Sequence, residues 1–341
     1  MTTSFVLRRF GAMILTLLAI SVLIFVLTRV MPGDPARMAL GPKASQQMVA
    51  DLRAQMHLDE PLYLQYYYWV TGIFRGDLGI SFYSHRRVMT DLKDFVPATM
   101  ELVLFATFII VVVGVSLGVL AAMFKDTWVD AAIRFFCYAA VSVPYFVWAL
   151  ALILLFGYVL SVLPLGGRLS PLMLEPPRVT GFILLDGLLA GNLTVVGDAL
   201  AHLILPALSL CFGGIATAAR VTRATMSDNY KKDYIQLMRA YDMPRARLMV
   251  KYLLKPSIIP TVALLGMQIG VLTARSFIVE LIFVWPGISK YGLRAMLCKD
   301  LNGISAVVIL IGLFYVVANF LVDIAVGFLD PRIRFEGMKS R

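Results

Sequence analysis

The chain has 341 residues, of which 60% are hydrophobic and 15% charged, with a mean hydropathy of +0.81 and a formal net charge of +10. A soluble domain of this size cannot bury that much apolar surface, so the composition excludes an ordinary soluble fold and points to lipid. The basic excess would suggest nucleic acid in a soluble protein; here it reports orientation, through where it falls between apolar runs.

The first element follows Arg8 and Arg9. Phe10 to Thr28 carries no charge and ends at Arg29 and the breaker Met31-Pro32-Gly33-Asp34-Pro35. About 20 apolar residues match the hydrocarbon thickness. A cleaved signal peptide is the competing reading, but its apolar region is shorter, roughly 7–15 residues, and no small-residue cleavage site follows. A retained span over residues 1–31 is therefore predicted. From 32 to 95 the chain turns polar with both signs of charge, which predicts an extramembrane segment. It holds a helix-like stretch near Gln46 to Met56 and the aromatic cluster Tyr63, Tyr66, Tyr67, Tyr68 and Trp69. Rings at the headgroups and an ordinary packed helix face both fit that cluster.

Apolar runs follow at about Ala98 to Phe124, Ala131 to Leu163, Leu200 to Ala219, Ile258 to Val284 and Ile304 to Phe328. With the first they make about six spans, an all-α membrane fold whose main body covers 96–330. The run from Ala131 is too long for one straight crossing and carries Pro144, so a kink or early exit is expected. Gly114 and Gly118 form a small-xxx-small pair that permits close helix approach. Cys137, Cys211 and Cys298 lie far apart, the first two inside apolar runs, which fits packing rather than a disulfide framework or a metal site.

Orientation follows from the basic residues. Arg220 to Lys255 holds nine Lys or Arg against three Asp, and Arg332 to Arg341 adds four more. Both stretches are predicted to be cytoplasmic, and six spans then put both termini on that side, with 331–341 a basic tail. Pro32 to Phe95, Pro164 to Ala199 and Trp285 to Gly303 face outward in this scheme.

The segment from about 226 to 252, between the fourth and fifth spans, has helical spacing with a break. Ile235, Met238 and Tyr241 can share one face, Asp242-Met243-Pro244 interrupts, and Leu248, Tyr252 and Leu253 begin a second stripe. Two short helices joined by a turn are predicted. Inside the spans, Glu101, Gln268, Arg275, Glu280, Asn319 and Asp323 are the polar candidates, since such groups are costly in hydrocarbon and face protein or water. Asn319 and Asp323 share a helix face, whereas Arg275 and Glu280 diverge by about 140°. Anchoring between helices is the first reading for these groups and solute contact the second.

Other chemistries lack their residues. No Gly-x-Ser-x-Gly or His-Glu-x-x-His pattern accompanies His202, which argues against an intramembrane protease. No inverted three-helix halves suggest an ion-driven carrier. No phosphate-binding Gly-x-x-x-x-Gly-Lys-Ser/Thr loop occurs, so ATP-driven work would need a separate polypeptide.

A series of blocks nevertheless resembles, in order and over nearly the whole chain, the permease subunits of the dipeptide, oligopeptide and nickel branch of ABC importers. These are Leu7-Arg8-Arg9 with Pro32-Gly33-Asp34-Pro35, His57-Leu58-Asp59-Glu60-Pro61-Leu62, Gly76-Asp77-Leu78-Gly79-Ile80-Ser81, and Pro97-Ala98-Thr99-Met100-Glu101-Leu102. His202-Leu203-Ile204-Leu205-Pro206-Ala207, Trp285-Pro286-Gly287-Ile288 and Asp330-Pro331-Arg332-Ile333-Arg334 complete the series. The stretch from Arg220 to Pro260 resembles the family's cytoplasmic coupling loop.

The resemblance implies a type I importer permease in the bacterial inner membrane, with short coupling helices docked in a groove of an ATPase subunit. It places Asp233, Tyr234, Met238, Arg239, Ala240, Tyr241, Asp242 and Arg245 at that contact. It implies a homologous second permease, two ATPase subunits holding ATP and Mg, and an extracytoplasmic solute-binding protein. It implies no cofactor, metal or bond chemistry in this chain. A basic loop lying on anionic lipid is the competing account of the loop. The family usually has glycine at the turn where this chain has Asp242, which reaches left-handed angles at some cost. Thr180-Gly181-Phe182-Ile183-Leu184-Leu185-Asp186 resembles the dipeptide subgroup, including permeases for D,D-dipeptides, with oligopeptide, glutathione, haem and nickel-chelate cargo left open.

Overall fold

The computed structural model describes residues 3–30, 34–41, 44–244 and 247–329. Pro32, Gly33, Arg245 and the stretch from Asp330 to Arg341 lie outside them. Apart from an isolated bridge between Ile80 and Arg87, the regular structure of the described residues is helical.

The long apolar runs become the long helices. α1 (Thr3–Val30), α5 (Val88–Met123), α9 (Leu193–Tyr230), α11 (Leu248–Ile282) and α13 (Leu301–Leu329) are each long and apolar enough to cross a bilayer. α6 (Trp128–Ser142) and α7 (Tyr145–Val159) form a sixth, broken unit, bent by 102° where Pro144 denies the backbone a hydrogen bond. The break expected from Pro144 is thus present. The helices outrun their apolar stretches. α9 has 38 residues, about 57 Å at 1.5 Å per residue, and so continues well past Ala219.

Short helices fill the connections: α2 (Pro35–Leu40), α3 (Gln46–Gln55), α4 (Leu62–Phe74), α8 (Ile183–Leu189), α10 (Asp233–Ala240) and α12 (Ile288–Leu297). Ser45 caps α3 by accepting from the Met48 N–H at 3.2 Å. The α4 aromatic cluster divides. Tyr66 and Trp69 pack on Phe25 of α1, while Tyr63, Tyr67 and Tyr68 are exposed.

The core lies between α5, α7, α9 and α11, with Leu102, Ile110, Leu203, Leu210, Leu272 and Phe283 buried in it. Gly114 and Gly118 let α5 touch α9. A Cβ on Gly118 would come within 2.6 Å of the Thr222 Cβ, and one on Gly114 within 2.8 Å of the Ala218 Cβ. α1 runs along α13, held by Arg9 against Asp323 at 3.1 Å and by Phe10 against Phe320.

These contacts define two ends. At one lie the start of α1, the ends of α5 and α9, α10, the start of α11 and the end of α13. The connections at 75–87, 160–192 and 283–300 gather at the other.

Candidate functional site

At the first end, α10 is wedged between the end of α9 and the start of α11. Ile235 is fully buried against Met226, Leu248 and Leu253, with Met238, Met243, Val119 and Ala122 packed around them. The opposite face points out: Tyr234 is 38% exposed, Leu237 59% and Tyr241 79%. This corrects the predicted face, because Met238 lies inward with Ile235 while Tyr241 belongs to the outer ridge. Helical spacing itself accounts for this: Tyr241, whose N–H still bonds the Leu237 carbonyl at 3.1 Å, lies seven residues from Tyr234, about 20° away round the helix, and six from Ile235, about 120° away. Leu237, spaced three and four residues from the two tyrosines, is the ridge member that sequence reasoning omitted.

The turn after α10 is closed by two backbone bonds, from the Asp242 N–H to the Arg239 carbonyl at 3.1 Å and from the Met243 N–H to the Met238 carbonyl at 3.3 Å. Together they form a Schellman C-cap, whose first residue past the cap takes left-handed angles. That residue is Asp242, at φ 51°. Pro244 follows and ends the helix direction. The second predicted short helix is instead the opening of α11. Pro256, lacking an N–H, lies just beyond a wide π-helical turn at Leu248–Leu254, and the helix runs on through it.

The remaining coupling candidates ring the ridge. Asp233 opens α10, where its charge complements the helix dipole. Arg239 lies over the Tyr230 ring at 5.1 Å and donates to Gln236. Ala240 and Asp242 are exposed, and Arg245 lies outside the described residues.

Two features beside α10 have no local sequence signal. Asp130 on α6 is fully buried and accepts two bonds from Arg223 of α9, at 2.6 and 2.7 Å, across 93 positions of sequence. Arg134, at 3.7 Å, is the partner its own helix shows. α9 and α11 are also stapled by polar bonds. Thr222 meets Thr261 at 2.9 Å, Thr225 donates to the Ser257 carbonyl at 2.8 Å, and Asn229 donates to the Ser257 hydroxyl at 2.8 Å. Polar pairs of this kind hold membrane helices together. A displacement of α10 therefore bears on α6, α9 and α11 together.

At the other end, blocks remote in sequence meet. Pro97 leaves the Lys93 carbonyl without its helical donor, and Arg178 takes it. The Trp285 indole donates to the Ala98 carbonyl at 2.9 Å, and the Ile288 N–H donates to the Thr99 hydroxyl at 2.8 Å. Glu101 is paired with Arg168 and accepts from the Leu184 N–H at 2.8 Å. Glu280 is buried and accepts from the Ser289 N–H at 2.9 Å, serving the start of α12. Burial pushes the Asp186 carboxyl up, but bonds from Thr180, Gly181 and Val179 outweigh it and hold the group below the usual carboxylate range. Ser81 and Asp300 join the Gly76–Ser81 block to the start of α13. His202 bonds the Asp198 carbonyl, while the Ser170 hydroxyl donates to Asp198 and not to the imidazole.

The membrane polar candidates thus separate. Glu101, Glu280 and Asp323 have fixed partners, and Asn319 donates to its own helix at Tyr315. Gln268 and Arg275 instead border a cleft at the α6–α7 break.

Residues 114–335 match the family described as the binding-protein-dependent transport system inner membrane component, and residues 2–103 match its N-terminal companion family. The chain is 36% identical over 326 residues to the probable D,D-dipeptide transport system permease protein DdpB of Escherichia coli (strain K12), covering 96% of each. It is 36% identical over 334 residues to the di/tripeptide transport system permease protein DppB of Pseudomonas aeruginosa (strain UCBPP-PA14), covering 98% of this chain and 99% of the relative. Against the glutathione transport system permease protein GsiC of Escherichia coli O6:H1 it is 30% identical over 333 residues, with the same coverage.

Proposed function

Since the chain belongs to the family of binding-protein-dependent transport inner-membrane components, we propose that it imports dipeptides or related small peptides, driven through α10 by separate ATPase subunits. Members of this family are permease subunits of ABC transporters, multi-pass in the inner membrane, and this chain itself catalyses no bond chemistry. The functional complex comprises this chain, a homologous second permease, two ATPases that bind ATP and Mg, and an extracytoplasmic solute-binding protein.

The observation that carries the mechanism is the two-sided character of α10: Ile235 rooted between α9 and α11, and a bare ridge of Tyr234, Leu237 and Tyr241 turned away from the chain. A helix with an apolar ridge and flanking Asp233 and Arg239 suits a groove on a partner. Closure of the ATPases displaces the ridge, and the stapled helices carry that displacement to the far end, where the outward segments 32–95 and 164–199, before the second and fourth spans, meet the binding protein. In this scheme both termini and α10 are cytoplasmic, in accord with the basic stretches at Arg220 to Lys255 and Arg332 to Arg341.

Dipeptide cargo is favoured by the DdpB and DppB relatives, and glutathione cargo by GsiC. The test is reconstitution of the complete complex in proteoliposomes. ATP-dependent uptake of a labelled dipeptide that needs the binding protein is expected. Uptake by this chain alone, driven by an ion gradient, would overturn the reading.

A further inference from the structure

The broken span leaves a cleft of about 200 Å³ between α6–α7, α9 and α11, lined among others by Tyr145, Trp148, Ser209, Thr217, Gln268 and Arg275. Arg275 lies seven residues before the end of α11, about 10 Å inside the span. Its guanidinium sits 5.6 Å from the centroid of the Tyr145 ring. Arg9, Arg168 and Arg223, the arginines on or beside the spans described above, each hold a carboxylate. Arg275 has none within ion-pair distance among the described residues.

A guanidinium at that depth is costly against hydrocarbon, so its side of α11 faces water or an anion. Gln268 lies two turns away on the same face, about 10 Å along the axis, and its Oε1 has no hydrogen-bond partner. The aliphatic hydroxyls are committed: that of Ser209 donates to the Pro206 carbonyl and that of Thr217 to the Gly213 carbonyl. The spare polar groups of the cleft are therefore the Arg275 guanidinium, a donor, the Gln268 Oε1, an acceptor, and the Tyr145 hydroxyl, set beside the Trp148 ring. Met267, Val271 and Ile278, beside these two residues on α11, are exposed, so the cleft opens on a face that the chain's own helices leave bare.

We propose that this cleft is a subsite of the translocation path and that Arg275 receives the free carboxylate of the passing solute, with Gln268 bonding its amide backbone. The proposal rests on the permease reading and deepens it by assigning a contact to the cargo. The planar guanidinium suits a carboxylate in a bidentate pair. A single such contact against otherwise weak walls holds a solute while leaving it free to depart.

The test uses the complete reconstituted complex with Arg275→Cys in a Cys298→Ser background, since Cys137 and Cys211 are buried. Dipeptide uptake is expected to fall about tenfold or more, the scale of one lost charge-assisted bond, while ATPase stimulation by loaded binding protein persists. A water-soluble thiosulfonate bearing an ammonium group should then react and restore uptake, whereas its sulfonate counterpart should react without restoring it. Arg275→Lys should fall between. A thiol that resists both reagents in the assembled complex, covered by lipid or by the second permease, would overturn the proposal, as would equal uptake after either reagent. Failure of the unsubstituted complex to import any peptide would instead sink the permease reading, because reactivity of the introduced thiol is measured without uptake.

Discussion

Asp242 offers the sharpest perturbation of the coupling turn. It holds φ 51° at the left-handed position of the Schellman cap, and among the described residues its side chain makes no hydrogen bond. Left-handed angles cost an L residue roughly 1–2 kcal/mol, with Asp among the cheaper residues to place there. Asp242→Gly removes that strain, while the greater freedom of glycine in the unfolded chain returns about 0.5–1 kcal/mol of it. The net change is expected to be under about 0.5 kcal/mol, so coupling persists. Asp242→Asn keeps the turn and removes the charge, and it should behave the same way. Asp242→Val incurs the full steric cost, about 2 kcal/mol, which shifts the turn's equilibrium roughly thirtyfold towards opening. Tyr241 then loses its placement. The assay is ATPase activity stimulated by loaded binding protein in the reconstituted complex, with hydrogen exchange at 233–244 reporting the turn. Loss of coupling in the Gly or Asn variant, with insertion and exchange protection intact, would refute the reasoning, because the side chain itself would then be what the partner reads.

Four other outcomes follow from the same geometry. Ile235→Ala empties a fully buried position and should cost about 2–5 kcal/mol, seen as a lower unfolding temperature together with loss of stimulated ATPase activity. Tyr241→Ala and Leu237→Ala remove exposed groups and should change stability by less than about 0.5 kcal/mol. They should weaken ATPase-subunit binding by about tenfold each, measured on detergent-purified subunits. Arg223→Gln leaves the buried Asp130 carboxylate short of its donor, at a cost of about 1–3 kcal/mol in thermal unfolding, and Asp130→Asn in the same chain should recover part of it. Asp186 has a depressed native pKa, so its stabilisation is full above the unfolded value of about 4 and is lost as pH falls through the native value. Asp186→Asn should be less stable at neutral pH and should lack that acid-side decline in a pH series of unfolding temperatures.

The spans were readable because lipid demands long apolar runs, and the break at Pro144 because proline cannot donate to the ladder. Their ends were less so. α9 continues from Arg220 to Tyr230 on polar residues whose pairing with Asp130, Thr261 and Ser257 replaces the apolar signal. The coupling segment was legible as a helix, but its outer face was not, since two three-residue steps from Ile235 through Met238 to Tyr241 drift about 120° round the helix, and Leu237 looks like any core leucine. The blocks at 97–102, 180–186 and 285–288 could be recognised one by one. That Ala98, Thr99 and Glu101 bind the other two blocks directly is a property of the packed bundle alone. Arg275 and Glu280 looked alike in sequence as charges inside one span; only the packing separates a carboxylate that serves the start of α12 from a cation that lies on Tyr145 and holds no carboxylate among the described residues.

The central claim is that α10 is a cytoplasmic lever held by a partner ATPase. It is tested most directly by labelling Tyr241→Cys, in a Cys298→Ser background, with a membrane-impermeant thiol reagent in intact spheroplasts and in inverted vesicles. Labelling confined to inverted vesicles, and suppressed when the ATPase subunits are bound, is the expected result. Labelling from the outside of spheroplasts, or labelling in inverted vesicles that the bound ATPases leave unchanged, would contradict the account.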